Sequence, residues 1–233
     1  LEKQSILVPL VLCWNELVYL KNLIPKLQKV SDKIVMLDGF SEDGTAKYYR
    51  DYPGVDFYQR EFDHCAAQFD YGLSKCPKNN TWVLNVTADE LPTTWFFDNI
   101  RDMLANADKK NIDRIFTTVF HLRGEREMSN EIGGQLRLFR NDEHHKCKYV
   151  DYPHERLHGE FDGHCLKDYK REWAYVHFRQ ADPQKVNLWK THYIEKGVYS
   201  LWDINRRLNF PTVSLPSFVK YTINDELRKY LKW

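Results

Sequence analysis

Three groups in the first half of the chain stand where an open α/β sheet would bind a ligand. The apolar run Ile6–Cys13 is followed by Asn15-Glu16, the run 33–37 (KIVML) by Asp38, and the run 82–86 by Asp89-Glu90. Side chains just past the carboxyl ends of such strands border the ligand crevice. Carboxylates placed there can accept hydrogen bonds from a polar ligand or hold a cation. Each Asp alone is equally at home as a turn or N-cap residue; the coincidence of three is what points to a site. Further along, YVDYPHERLHG (149–159) carries Asp151 and Glu155, and WAYVHFRQ carries His177 after a strand-like stretch. A local ion-pair cluster of His154, Glu155 and Arg156 is the alternative use of those residues. His144, His145, Cys147, His164 and Cys165 are metal-ligand types, but their spacing matches no familiar framework, so zinc is not expected.

The elements that must position these groups alternate. Ile6–Cys13 reads as a continuous apolar strand of the kind buried on both faces of a parallel sheet. Leu17, Leu20, Leu23, Ile24 and Leu27 then recur at helical spacing. Strands are predicted at 33–37, 55–59 and 82–86, and helices at 45–51, 64–74 and 95–107. This β-α-β-α-β-α-β-α order indicates a doubly wound α/β unit with right-handed crossovers. After about residue 112 the pattern changes. RIFTTVFHL (114–122) and QLRLF (135–139) alternate like antiparallel strands around a polar, Gly-containing stretch. From Pro183 the chain turns basic and aromatic, with Trp189, Tyr193, Tyr199 and Trp202 at roughly helical intervals. The expected organisation is one domain over 1–233: an alternating α/β half (1–112), a half of antiparallel strands (113–182) and a helical extension (183–233).

The run LDGFSEDGT, 37–45, resembles the D-x-x-S-x-D-G-T signature of glycosyltransferase family 2, with Asp38, Ser41, Asp43, Gly44 and Thr45 in the matching places. CWNELVYLKNLIPKL resembles that family's first strand-to-helix turn, and WVLNVTADELP its metal-binding D-x-D segment. QLRLFR with PHER resembles the acceptor-side half of small lipopolysaccharide-core-type members. The resemblance implies a GT-A-like fold: a doubly wound, mainly parallel sheet with an antiparallel second half and, here, a C-terminal helical extension. It implies inverting transfer of a sugar from a nucleotide-diphosphate donor to a hydroxyl of a glycan or other acceptor, assisted by Mn²⁺ or Mg²⁺. The cation would neutralise charge developing on the diphosphate.

By that resemblance Asp38 hydrogen-bonds the nucleobase from a turn, and Glu16 lies near base or ribose. Asp43 supports the turn or approaches the nucleoside, and Thr45 caps the following helix. Thr87 stands where the first D-x-D acid is expected, so it can meet ribose but supplies no charge. Asp89 is then the main metal ligand, with Glu90 and His177 as further candidates. Arg137, Arg140 and Lys190 are candidates for the diphosphate. Glu155 is the expected general base and Asp151 its runner-up, since an attacking hydroxyl must lose its proton. Two alternatives stay open. A nucleotidyltransferase would normally show a Gly-rich, basic loop after the first strand, where this chain has CWNELVYL. A non-catalytic sugar-nucleotide or carbohydrate-binding module is made credible by Thr87.

Composition narrows the classes. With 34 basic against 33 acidic residues, the chain lacks the accumulated positive charge of a protein that coats nucleic acid. The apolar run at the N-terminal end stops at eight residues and contains Pro9, whereas a membrane span needs about twenty. The aromatic tail could stack sugars, rest peripherally on a membrane or pack a neighbouring domain. Five cysteines without a C-x-x-C pair suit a reducing, cytoplasmic setting. Beginning at Leu1 rather than Met, the chain is compatible with a trimmed form or a domain of something longer.

Overall fold

The computed structural model describes residues 5–123, 126–128, 134–150, 156–167, 174–178, 212–213 and 221–231. Four strands, β1 (Ile6–Cys13), β2 (Ile34–Asp38), β3 (Val55–Gln59) and β4 (Thr81–Thr87), lie parallel in the order β3-β2-β1-β4. Helices α1 (Leu17–Leu27), α2 (Thr45–Tyr49), α3 (Cys65–Leu73) and α4 (Thr94–Lys109) connect or follow them. Alternate residues of each strand enter opposite cores, which is why the runs are apolar throughout rather than alternating. Leu7 and Val11 of β1, with Trp82 and Leu84 of β4, join the cluster that holds α1 and α4. Val8, Leu10 and Val83 face the other cluster, with Phe69 and Leu73 of α3. The doubly wound α/β arrangement is as the alternation predicts.

The second half extends the same sheet. After β5 (Glu90–Pro92), the long β6 (Ile112–Arg123) runs antiparallel to β8 (Gly134–Arg140), which pairs antiparallel with β4. The opposite edge of β6 was not foreseen: β11 (His164–Leu166) and β12 (Ala174–His177) pair with it in parallel, and β12 also pairs antiparallel with β5. Short strands β7 (Arg126–Met128) and β13 (Thr212–Val213) and the β9–β10 hairpin (Lys148–Val150, Arg156–His158) complete the set. The mixed sheet is thus parallel in its first half, with antiparallel pairings concentrated in the second.

Of the expected helical extension, most lies outside the described residues. Two parts do not: Thr212–Val213 is strand, and α5 (Asp225–Tyr230) is a helix packed on α1. That contact is held by Lys21–Glu226 at 2.9 Å, by Asn224 N–H donating to Asn22 Oδ1 at 2.9 Å, and by Tyr19 edge-on to Tyr230. Among the described residues no helix is long and apolar enough to cross a membrane.

Candidate active site at the carboxyl ends of the strands

The register places Cys13 beside Asp38 and Leu12 beside Thr87, so the loops leaving β1, β2 and β4 emerge as neighbours. Backbone bonds extend each pairing by one residue: Gly39 N–H donates to Cys13 O and Ala88 N–H to Leu12 O, both at 3.0 Å. Side chains then lock the loops together. Asn15, at φ 53°, donates its N–H to Ser41 Oγ at 2.7 Å, and its Oδ1 accepts from Glu42 N–H at 2.7 Å. Asn tolerates that left-handed conformation better than most residues.

Asp38, expected in a turn rather than the core, lies at the strand end. It closes β2 and is fully buried. Oδ2 accepts from Ser41 N–H and Gln59 Nε2, both at 3.0 Å; Oδ1 accepts from the Ser41 hydroxyl and, at 3.7 Å, from the Cys13 thiol. A carboxylate offers about four lone-pair positions, and four donors occupy them here, so Asp38 anchors the turn. Asp43 is similarly committed. Its Oδ2 accepts from Leu17 N–H at 2.7 Å, and its Oδ1 accepts from Thr45 N–H at 3.1 Å and Thr45 Oγ1 at 2.6 Å. One carboxylate therefore sits at the N-termini of α1 and α2, where N–H groups lack helical partners and negative charge is favoured. Glu16, the nominal N-cap of α1, makes no side-chain cap and instead accepts from Trp14 N–H at 3.3 Å. Thr45 is the first helical residue rather than the cap; that place belongs to Gly44 at φ 94°, a conformation open to glycine at little cost.

The loop after β4 divides its two acids. Glu90 turns inward and forms an ion pair with Arg137, each side chain 5% exposed. Glu90 Oε2 also accepts from Thr87 N–H at 3.3 Å. Arg137, expected at a diphosphate, lies over the Tyr175 ring at 5.1 Å and also donates to Gln135 at 2.5 Å. Their mutual neutralisation is what permits both charges to be buried. Arg140, the other expected phosphate contact, is taken up by Ser5, Asp108 and Asp142. In this structure Glu90 and both arginines are committed to protein partners.

Asp89 Oδ1 accepts from Thr87 Oγ1 at 3.0 Å, and its Oδ2 lies 3.4 Å from His177 Nε2. The β5–β12 pairing brings His177 there: it stands in register with Glu90, and Phe178 N–H donates to Asp89 O at 2.9 Å. On its other side His177 Nδ1 meets His121 Nδ1 at 2.9 Å. His121 was missed in the sequence, because its partner is 56 residues away and only the parallel β6–β12 register joins them. Two donors bound to one cation at about 2.1 Å stand roughly 3.0–3.5 Å apart, so the Asp89–His177 separation fits a shared ion. Among the described residues no group of three or more His, Cys, Asp or Glu side chains converges on a cation position. Mg²⁺-type sites commonly use only one or two protein carboxylates and complete the shell with substrate phosphate and water. Asp151, Glu155 and Lys190 lie outside the described residues.

No known family profile matches the chain, and no curated protein matches it in sequence. Among solved structures it is similar to residues 1–349 of S. aureus TarS, with 20% identity, a TM-score of 0.42, and coverage of 51% of this chain and 37% of that one. It thus spans little more than a third of the TarS structure's length. A structure of GalNAc-T7 with UDP, GalNAc and Mn²⁺ matches at 12% identity and TM-score 0.38, over 72% of this chain and 31% of that one. A 4-diphosphocytidyl-2C-methyl-D-erythritol synthase matches at 9% identity and TM-score 0.41, over 97% of this chain and 99% of that one. Likeness this remote does not extend to an activity.

Proposed function

We propose that the chain is a cation-assisted, inverting glycosyltransferase of the family-2 kind, using a nucleotide-diphosphate sugar. The observation that carries the reading is the Asp89–His177 pair, 3.4 Å apart beside the carboxyl ends of the parallel strands. Bound there, Mn²⁺ or Mg²⁺ would offset charge developing on the leaving diphosphate. Thr87 supports the site from below, because its hydroxyl hydrogen bond holds one Asp89 oxygen and leaves the other directed at His177.

Asp38 and Asp43 serve the donor through the loops. By fixing 39–44 against 14–17, they hold the rim of the crevice without reorganisation when a nucleotide enters. Glu16 stays on that rim as the contact for base or ribose. In the reaction the acceptor oxygen bonds to the anomeric carbon as the bond from that carbon to the diphosphate oxygen breaks. The hydroxyl proton passes to a carboxylate, assigned to Glu155 with Asp151 as the alternative. All five cysteines are free thiols, which supports a reducing, cytoplasmic setting.

A panel of nucleoside diphosphates, each with and without Mn²⁺, tests the reading by thermal shift. At about a hundred times its Kd a ligand adds roughly 2.7 kcal/mol, or some 5–10 °C for a domain of this size. One nucleotide should give that shift with Mn²⁺ and a smaller one without. No shift from any nucleotide under either condition would sink the reading.

A further inference from the structure

His121 belongs to no motif, and we propose that it is a positioning residue that holds the His177 ring through Nδ1 in whichever proton arrangement the cation site imposes. The proposal rests on the reading of Asp89 and His177 as cation ligands. The rings stand 4.9 Å apart at 55° with Nδ1 facing Nδ1 at 2.9 Å. Such a contact is a hydrogen bond only when one Nδ1 bears a proton and the other a lone pair.

The other nitrogen of His177 decides which. With no cation, a proton on Nε2 faces the Asp89 carboxylate, and Nδ1 accepts from His121. With a cation, Nε2 must present its lone pair, so Nδ1 carries the proton and donates to His121. Neutral His121 serves both arrangements, since its Nδ1 can donate or accept. A permanent donor such as Lys could serve only the first. His177 is 8% exposed, so bulk water is a poor substitute for this partner. Histidines that bind metals usually donate their second N–H to such an outer partner, whose loss costs ~10–100-fold in affinity.

Two measurements test the assignment. Calorimetry with Mn²⁺ compares wild type, Asp89→Ala, His121→Leu and His121→Gln. His121→Leu should bind ~10–100-fold more weakly than wild type. His121→Gln, whose amide can accept or donate, should recover most of the loss with an unchanged melting temperature. The second measurement needs no change at His121: long-range ¹H–¹⁵N spectra of wild type, recorded above the usual histidine titration range, with and without Zn²⁺ as a diamagnetic probe. The His177 resonances, identified by their absence in His177→Gln, should move from the Nε2–H form to the Nδ1–H form. Mn²⁺ binding by His121→Leu equal to wild type, with Asp89→Ala impaired, overturns the positioning role and leaves the cation reading standing. No Mn²⁺ binding by wild type, or equal binding by Asp89→Ala, removes the cation reading and this proposal together.

Discussion

Replacing Glu90 with Gln separates two uses of an acid beside Asp89: ligand to a cation, or counter-charge to Arg137. Both side chains of the pair are 5% exposed, so the change leaves a buried guanidinium without its anion. Removing one member of a buried pair typically costs about 3–5 kcal/mol. Here the lower end applies. Arg137 keeps Gln135 at 2.5 Å, the Asn85 carbonyl at 3.5 Å and the Tyr175 face at 5.1 Å. Its Nε has no partner to compensate further. A loss of about 3 kcal/mol from a total of roughly 5–15 is large, and at 2–4 °C per kcal/mol it lowers Tm by ~6–12 °C. Urea unfolding of Glu90→Gln, Arg137→Met and the double variant measures the coupling. The double variant should recover much of the loss, because no charge is left stranded. Mn²⁺ affinity of folded Glu90→Gln should match wild type. A destabilisation below ~1 kcal/mol, or a lost Mn²⁺ affinity, would refute the inward assignment and return Glu90 to the cation.

Three further outcomes follow from particular contacts. Asp43→Ala removes the acceptor at two helix starts and should cost about 1–2 kcal/mol by chemical denaturation. Gly72→Ala would set a Cβ 2.5 Å from Leu10 Cδ1, and the strain where α3 crosses β1 should cost roughly 1–3 kcal/mol on the same assay. Burial pushes the Cys76 and Cys147 thiols up to about 12, so near pH 8 only about one in 10⁴ of each is thiolate. Mass spectrometry should find both unmodified by iodoacetamide until the protein unfolds. Their sign for stability is a contribution present below pH 9.0 and lost as pH rises toward 12, because the unfolded thiols ionise first.

What could be read from the sequence was what depends on neighbours along the chain. The apolar run of β1, the helical spacing of α1 and the short run of β3 fixed their own limits, and the alternation fixed the winding. Asp38 and Asp89 were found because each follows a strand, and Ser41 and Asp43 because they match the D-x-x-S-x-D-G-T signature. Their roles were harder to read. Asp38 looks like a turn residue until Gln59, its register partner on β3, closes over it. Arg137 looks like a diphosphate contact until β8 lands beside β4 and brings its guanidinium to Glu90. His121 carries no local signal, since alternation in β6 cannot show that β12 returns in parallel to pair with it.

The central claim is that Asp89, with His177, holds a cation that joins the protein to a nucleotide diphosphate. Calorimetry of the best-binding nucleoside diphosphate, with and without Mn²⁺, on wild type and Asp89→Ala tests it most directly. Mn²⁺ should tighten binding to wild type by at least about tenfold, or roughly 1.4 kcal/mol, and should leave binding to Asp89→Ala unchanged. Equal enhancement in the two proteins would contradict the account.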